Sequence, residues 1–395
     1  MFKRSYRKNI GLMAGVEFFA FLGITSFWIL FLSQNGMSLW QIGLLESIFH
    51  ATSVICEIPS GMLADRFSYK TNLYLSRIAG IVSSILMLAG QGNFWVYALA
   101  MMISAWSYNF DSGTSAAMVY DSSVEAGFKE RYLSISSFMS GVAEATRSLG
   151  TVWAGFFVHG QLHLTYYIMI GTSIIVLFLT WMLKEPSVKA EKAEHLTMKK
   201  IIWAVKEELQ RNPSLFIWMI LSQIIGTLMC MFYFYYQNQL PDLKSWQISA
   251  VMLIGSALNI LAVYLASKVG KKYSALKLFP LLVLLTGVTY LLSYFGTPII
   301  YILVYLISNA SYALFQPVFD NDLQKQLPSE VRATMLSVYS MMFSLSMIVI
   351  FPLTGWLIDN LGFDWTFIAL GSFLFAVTPF LHMGLKKISQ NLQEV

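Results

Sequence analysis

Apolar runs of about twenty residues follow one another from residue 9 to residue 385, and no other feature limits so tightly what this chain can fold into. A hydrocarbon layer about 30 Å thick is crossed by roughly 20 residues of α-helix, and inside it each backbone amide must find its partner within the same helix. Twelve spans are predicted: 9–33, 39–62, 71–90, 94–120, 133–157, 164–183, 214–238, 247–267, 274–294, 298–318, 334–357 and 365–385. Composition agrees, since 56% hydrophobic and 12% charged residues over 395 positions leave more apolar surface than a water-soluble domain can hide. The expectation is an all-α membrane protein. Met1-Phe2-Lys3-Arg4 resembles the start of a signal peptide, but the apolar stretch after it is of span length and lacks a small-residue cleavage pattern, so it should remain as the first helix.

Positive residues beside spans stay on the cytoplasmic side. Lys3, Arg4, Arg7 and Lys8 precede the first span, Lys268, Lys271, Lys272 and Lys277 surround the turn after the eighth, and Lys386 and Lys387 follow the last. All but Arg77, Arg147 and Lys244 of the 26 lysines and arginines fall on that side, so both termini are expected in the cytoplasm. The net charge of +5 reflects this asymmetry and does not call for a nucleic-acid partner. Cys56 and Cys230 both lie in apolar spans, which supports neither a disulfide nor a metal cluster. His50, His159, His163, His195 and His382 form no helical metal motif, and neither a Gly-x-Ser-x-Gly elbow nor a phosphate-binding glycine-lysine loop occurs. Neither an enzyme, nor a cofactor or metal, nor direct use of ATP is expected.

The chain divides near its middle. Residues 184–212 are rich in lysine and glutamate and read as a cytoplasmic linker between a half at 1–183 and a half at 213–395. Within the linker, Thr197 is placed to cap a helix whose Ile201, Ile202, Val205 and Leu209 make one apolar face; it would lie on the membrane surface or be a plain solvated helix. The halves echo one another. Ser267-Lys268-Val269-Gly270-Lys271-Lys272 aligns with Asp65-Arg66-Phe67-Ser68-Tyr69-Lys70 at a shift of 202, while Asn309, Glu330 and Gly355 follow Asn109, Glu130 and Gly155 at 200.

The turn Gly61-Met62-Leu63-Ala64-Asp65-Arg66-Phe67-Ser68-Tyr69-Lys70 resembles the signature between the second and third helices of major facilitator transporters. Ser68 stands where that signature has a glycine, and Tyr69 where it has the first of two closing basic residues. The resemblance covers nearly the whole chain. It implies twelve helices in two pseudo-symmetric six-helix bundles that rock about a central site, and a single chain suffices as the transport unit. It also implies a bacterial plasma membrane, and a conformational latch made of Gly61, Asp65, Arg66 and Lys70 with Asp121 and Arg131 in one cytoplasmic charge cluster. Glu57 is an alternative acid in that cluster, and Arg77 an alternative base.

Charges inside the bilayer are costly and face a cavity or a partner. Glu17, Asp111, Glu144 and Arg147 would lie roughly 12 to 21 Å from the cytoplasmic ends of the first, fourth and fifth helices, counting about 1.5 Å per residue. Ser104, Ser107, Asp111, Thr114 and Ser115 form one polar stripe, and Ser137, Ser140, Glu144, Arg147, Ser148 and Thr151 another. Glu17, Asp111 and Glu144 are the proton-coupling candidates; Asp111 and Glu17 have no basic neighbour in sequence, whereas Glu144 and Arg147, three residues apart, are also spaced to neutralise each other. Glu46 and His50, one turn apart on the second helix, read as a gate or as a structural hydrogen bond. Polar groups in second-half spans read as neutral, so coupling is expected in the first half. Substrate-binding candidates are Arg147, Tyr108, Asn109, Gln223, Tyr233, Tyr236 and Gln316. The run Met231 to Asn238 would either wall an aromatic pocket or form an interfacial belt.

Together these readings describe a proton-coupled secondary transporter of a small organic solute, with export of an amphipathic compound as the leading direction. The efflux reading rests on resemblance to drug-exporting branches, although the glycine-proline pair usual in their fifth helix is absent. Uptake of an anionic metabolite with Arg147 as counter-charge is the alternative, and a non-transporting sensor a remote one. Partners are the solute, protons and the lipid bilayer.

Overall fold

In the computed structural model the chain is helical almost throughout. The structure is described for residues 5–111, 113–187, 203, 206–207, 209–240, 243–327 and 332–391, side chains excepted at 58–66, 333–334 and 391. Helices α1 (Tyr6–Ala20), α2 (Trp28–Gln34), α3 (Leu39–Arg66), α4 (Tyr69–Ala89), α5 (Phe94–Asp111), α6 (Thr114–Glu125), α7 (Tyr132–Ala154) and α8 (His163–Met182) precede the linker. After it come α9 (Pro213–Tyr235), α10 (Ser245–Val269), α11 (Ala275–Leu291), α12 (Pro298–Gln326), α13 (Arg332–Leu361) and α14 (Phe363–Asn391). Among the described residues nine helices are long and apolar enough to cross a membrane. The other three predicted spans fall on α1 with α2, on α5 with α6, and on α7. This is the twelve-helix, all-α architecture expected. Of the linker's proposed amphipathic face, Thr197, Ile201, Ile202 and Val205 lie outside the described residues, as does Glu330 of the repeat.

Two spans read as continuous are broken. The first stops at Ala20 and resumes at Trp28, because Gly23 and Gly150 bring α7 against the α1–α2 connection with no room for a β-carbon on either residue. The fourth breaks between Asp111 and Thr114, where Gly113, at φ 80°, occupies the left-handed region that glycine enters freely and begins α6. A further correction concerns the tenth span. α12 runs past the predicted end at 318 to Gln326 and so carries Asp320 and Asp322 on the helix.

The chain forms two compact units. The first comprises Met1–Met37, Ile48–His195 and Lys244–Met252; the second comprises Ser38–Ser47, Leu196–Leu243 and Leu253–Val395. In the first unit, Met13, Val16, Leu73, Met118, Val119, Met139 and Val176 make a core joining α1, α4, α6, α7 and α8. Buried Asn9 ties α1 to its neighbours: its amide nitrogen donates to Ser122 Oγ at 2.9 Å and to the Lys184 carbonyl at 2.7 Å, and its oxygen accepts from the Lys184 N–H. The core of the second unit is aromatic. Trp218 of α9 packs on Phe279 and Phe319, while Phe232 meets Phe367 edge-on and Tyr290 donates to the Met229 carbonyl. Outward faces carry large apolar side chains at helical spacing, such as Ile174, Phe178 and Trp181 on α8 and Val349, Leu353 and Trp356 on α13. Such stripes would aggregate in water and are the ordinary lipid contact of a membrane bundle.

The turn between α3 and α4 accounts for both departures from the family signature. Ser68 caps α4, its Oγ accepting from Thr71 N–H at 3.1 Å, and the Tyr69 hydroxyl donates to Asp121 Oδ2 at 2.8 Å. A glycine at 68 would lack the capping oxygen. The Lys70 ammonium donates to the Trp181 and Leu183 carbonyls at the end of α8, and Glu185 accepts from the Tyr69 and Lys70 N–H groups. Lys70 and Asp121 thus lock the first unit internally. Arg131 is exposed, and the side chains of Gly61, Asp65 and Arg66 lie outside the described residues.

Candidate functional site

A cavity of about 550 Å³ opens inside the first unit, lined by α1, α5, α6 and α7. Glu17, Asp111, Glu144 and Arg147 all reach it, so the four intramembrane charges read from the sequence converge on one space. Each arrives for a local reason. Glu17 lies on α1 between core residues Met13 and Val16 and the end of the helix. Asp111 is the last residue of α5 and is turned by the Gly113 break. Glu144 and Arg147 follow Ser140 along the inner face of α7.

Arg77 of α4 is the residue that sequence reasoning misplaced, by assigning it to the charge cluster at the α3–α4 turn. Its Nη2 lies 2.6 Å from Asp111 Oδ2, and both side chains are largely buried. Ser115 Oγ donates to the other Asp111 oxygen at 2.8 Å. Asp111 has no basic neighbour in sequence, but the adjacent helix supplies one, and both of its oxygens are engaged. No sequence spacing relates positions 34 residues apart, and the only available signal was that an arginine in a span needs an acid. Glu17, only 8% exposed, has no ion-pair partner among the described residues.

The other charged pair is open. Arg147 Nη1 and Glu144 Oε2 are 3.0 Å apart with both side chains more than half exposed, and the guanidinium sits 5.5 Å from the Phe21 ring centroid. The alternative of local pairing therefore holds, within the cavity wall itself. Tyr108 and Phe21 supply aromatic surface, and Ser136 and Ser140 hydroxyls. Not every stripe residue faces this space: Ser107 and Ser76 each donate to the other's carbonyl between α5 and α4, and Thr151 meets Ser26 on the α1–α7 side. Asn109 binds Ser53 on α3 through both ends of its amide, which leaves it a strut of the wall.

The second unit holds the remaining candidates. Tyr236 is fully buried and stacks on Tyr305 with ring centroids 4.2 Å apart, and Tyr233 stacks on the same ring from 6.1 Å. The aromatic run at the end of α9 is therefore turned into the unit, not out as a belt. Gln223 donates to the Tyr339 carbonyl, and Gln316 donates to Asp320 Oδ1 at 3.0 Å. Asp320 is the acidic group missing from the sequence reading, overlooked because α12 was ended too early. His50 is buried edge-on against Phe49, and Glu46 is half-buried on α3. Among the described residues no three His, Cys, Asp or Glu side chains gather as a metal site.

Among the described residues, nine helices long and apolar enough to cross a membrane, together with a charged, aromatic cavity in the first unit, mark a membrane protein with an internal binding space. The comparisons make the class specific. The model of the Major Facilitator Superfamily matches residues 10–350 and 241–389, and the chain belongs to that family. Among solved structures it is similar to the nucleoside transporter NupG, with TM-score 0.75, 16% identity and coverage of 97% of this chain and 99% of that one. It is similar also to a D-xylose–proton symporter (TM-score 0.68, 15% identity, 95% of each chain). A bacterial homologue of the human lysosomal transporter Spinster gives TM-score 0.73 at 13% identity over 98% of each chain. None of the curated proteins compared with the sequence matches it.

Proposed function

We propose that this multi-pass transporter is proton-coupled and exports a small amphipathic organic solute by alternating access, with Glu17 carrying the proton. The observation behind this reading is the first-unit cavity in which Glu17 stands unpaired beside the Arg77–Asp111 ion pair. Asp111 is matched by a fixed positive charge, so it serves as a permanent electrostatic element. Glu17 is the carboxylate free to exchange a proton with cavity water. The lining favours cationic or zwitterionic solutes: with Asp111 matched by Arg77, and Glu144 by Arg147, Glu17 is the carboxylate in excess, and Arg147 is already engaged by Glu144 and Phe21. That engagement argues against a free anion site and so against uptake of an anionic metabolite. The loop charges and the charged linker support cytoplasmic termini and two bundles at 1–183 and 213–395, and the family resemblance supports the Gly61 to Lys70 latch. Both termini are cytoplasmic, in a cell membrane, and one chain is the working unit.

Proteoliposomes decide the matter. With an acidic lumen, exchange of protons for solute should drive ethidium, an aromatic cation, into the vesicles. Glu17→Gln should abolish gradient-driven accumulation while keeping ethidium counterflow at zero gradient. If acid outside instead drove accumulation of uridine, xylose or lactate, the direction would be uptake and export would be wrong. Full gradient-driven transport by Glu17→Gln would remove Glu17 from the coupling role.

A further inference from the structure

Away from that cavity, the second unit carries a groove of about 810 Å³ between α11 and α14. The two helices touch backbone to backbone where Gly287 faces Gly371, and the groove opens nearer the start of α11 and the end of α14. Its lining mixes charge and hydrocarbon: Lys277, Lys386 and His382 stand beside Leu278, Leu281 and Leu385. Leu281 lies one helical turn from Lys277, about 6 Å farther along α11 at a rise of about 1.5 Å per residue. Both lysines are exposed, and no Asp or Glu lines the groove.

The surroundings have the same sign. Lys268, Lys271, Lys272 and Lys387 are exposed close by in sequence, and Lys268 and Lys272 lie over the rings of Tyr264 and Tyr273 at 4.7 and 5.3 Å. Lysines and leucines side by side in one recess match a molecule with an anionic head and apolar tails. Basic recesses between membrane helices bind anionic lipid headgroups on this principle.

We propose that this groove is a site for an anionic diacyl phospholipid, its phosphate held between Lys277 and Lys386 and an acyl chain laid along Leu278, Leu281 and Leu385.

The test uses the delipidated full-length chain equilibrated with mixed phosphatidylglycerol and phosphatidylcholine micelles, the retained lipid being counted by native mass spectrometry. Phosphatidylglycerol should be retained in preference to phosphatidylcholine. The pair Lys277→Gln and Lys386→Gln should cut that preference by at least about five-fold, the effect of roughly one surface lysine, whereas Lys129→Gln with Lys244→Gln should leave it unchanged. Should the double variant fail to fold, Lys386→Gln alone, on the exposed last turns of α14, should lower the preference by about the same single-lysine factor. Equal retention of the two lipids by the unmodified chain, or a preference that survives the lysine changes, would overturn the proposal. Displacement of the lipid by millimolar glycerol 3-phosphate would overturn it too, since the groove would then be recognising a free phosphate.

Discussion

Arg77 and Asp111 form a 2.6 Å pair whose side chains are 8% and 13% exposed, while Arg147 and Glu144 form a 3.0 Å pair with 53% and 58% exposed. An arginine paired with a carboxylate therefore carries very different energetic weight in the two places. Removing one partner of a buried pair strands a charge and costs about 3 to 5 kcal/mol, whereas exposed pairs contribute about 0 to 1 kcal/mol. Arg77→Met should lower the unfolding temperature in detergent far more than Arg147→Gln does. Adding Asp111→Leu to Arg77→Met should recover much of the loss, because both charges are then gone. A thermal unfolding series on the four proteins checks this, and equal effects of Arg77→Met and Arg147→Gln would mean that Asp111 is solvated from the cavity. Function should rank the other way for substrate: Arg147→Gln should change the apparent affinity for solute, since its guanidinium lines the wall directly.

At the scale of helices, the α1–α7 seam depends on the absence of side chains. Gly150 of α7 meets the backbone of Gly23 and Ile24, whereas Gly141, two and a half turns earlier on α7, has nothing near its missing β-carbon. Gly150→Val should cost about 1 to 3 kcal/mol as an overpacking change, and Gly141→Ala should be neutral or stabilising by up to about 1 kcal/mol through helix propensity. Expression level with thermal unfolding distinguishes them. The helices themselves were largely legible from the sequence, because lipid leaves twenty-residue apolar runs few other conformations. Breaks were less legible: Gly23 lies in an apolar stretch where a neighbour's backbone meets it, and the polar run Asp111-Ser112-Gly113-Thr114-Ser115, though suited to a turn, sits inside a stretch of span length. The charges lining the cavity were legible too, since Glu17, Asp111, Glu144 and Arg147 stand out in apolar runs. Their partners were not, because the Arg77–Asp111 contact depends on how α4 meets α5. Asp320 was hidden by a span ended at 318, where the helix continues through polar residues to Gln326.

For the molecule as a whole, α3 and α10 matter most, because each belongs to both units: Ser38–Ser47 lies with the second, Lys244–Met252 with the first. Each of these helices is anchored at its start within one unit and continues in the other. The repeat marks those starts. Gly355 admits Leu39 of α3, and Gly155, its counterpart 200 residues earlier, admits Ser249 of α10, in each case with no room for a β-carbon. Asp359, one turn beyond Gly355 on α13, accepts from the Leu39 and Trp40 N–H groups at 3.1 and 2.8 Å, so a carboxylate rests on the positive end of α3. Gly155→Val and Gly355→Val should each prise open the helix start they face, and Asp359→Asn should loosen α3 alone. Ile42→Cys and Ile248→Cys, both buried beside these contacts, serve as reporters in a chain with Cys56 and Cys230 replaced by Ala. Gly355→Val and Asp359→Asn should speed labelling of Ile42→Cys by a membrane-impermeant maleimide, by about five-fold for a charge–helix contact worth roughly 1 kcal/mol. Gly155→Val should do the same for Ile248→Cys. If these rates stayed at the level of the unsubstituted glycines and Asp359, the two helix starts would not open during the cycle, and the shared glycines would be packing residues with no part in the motion.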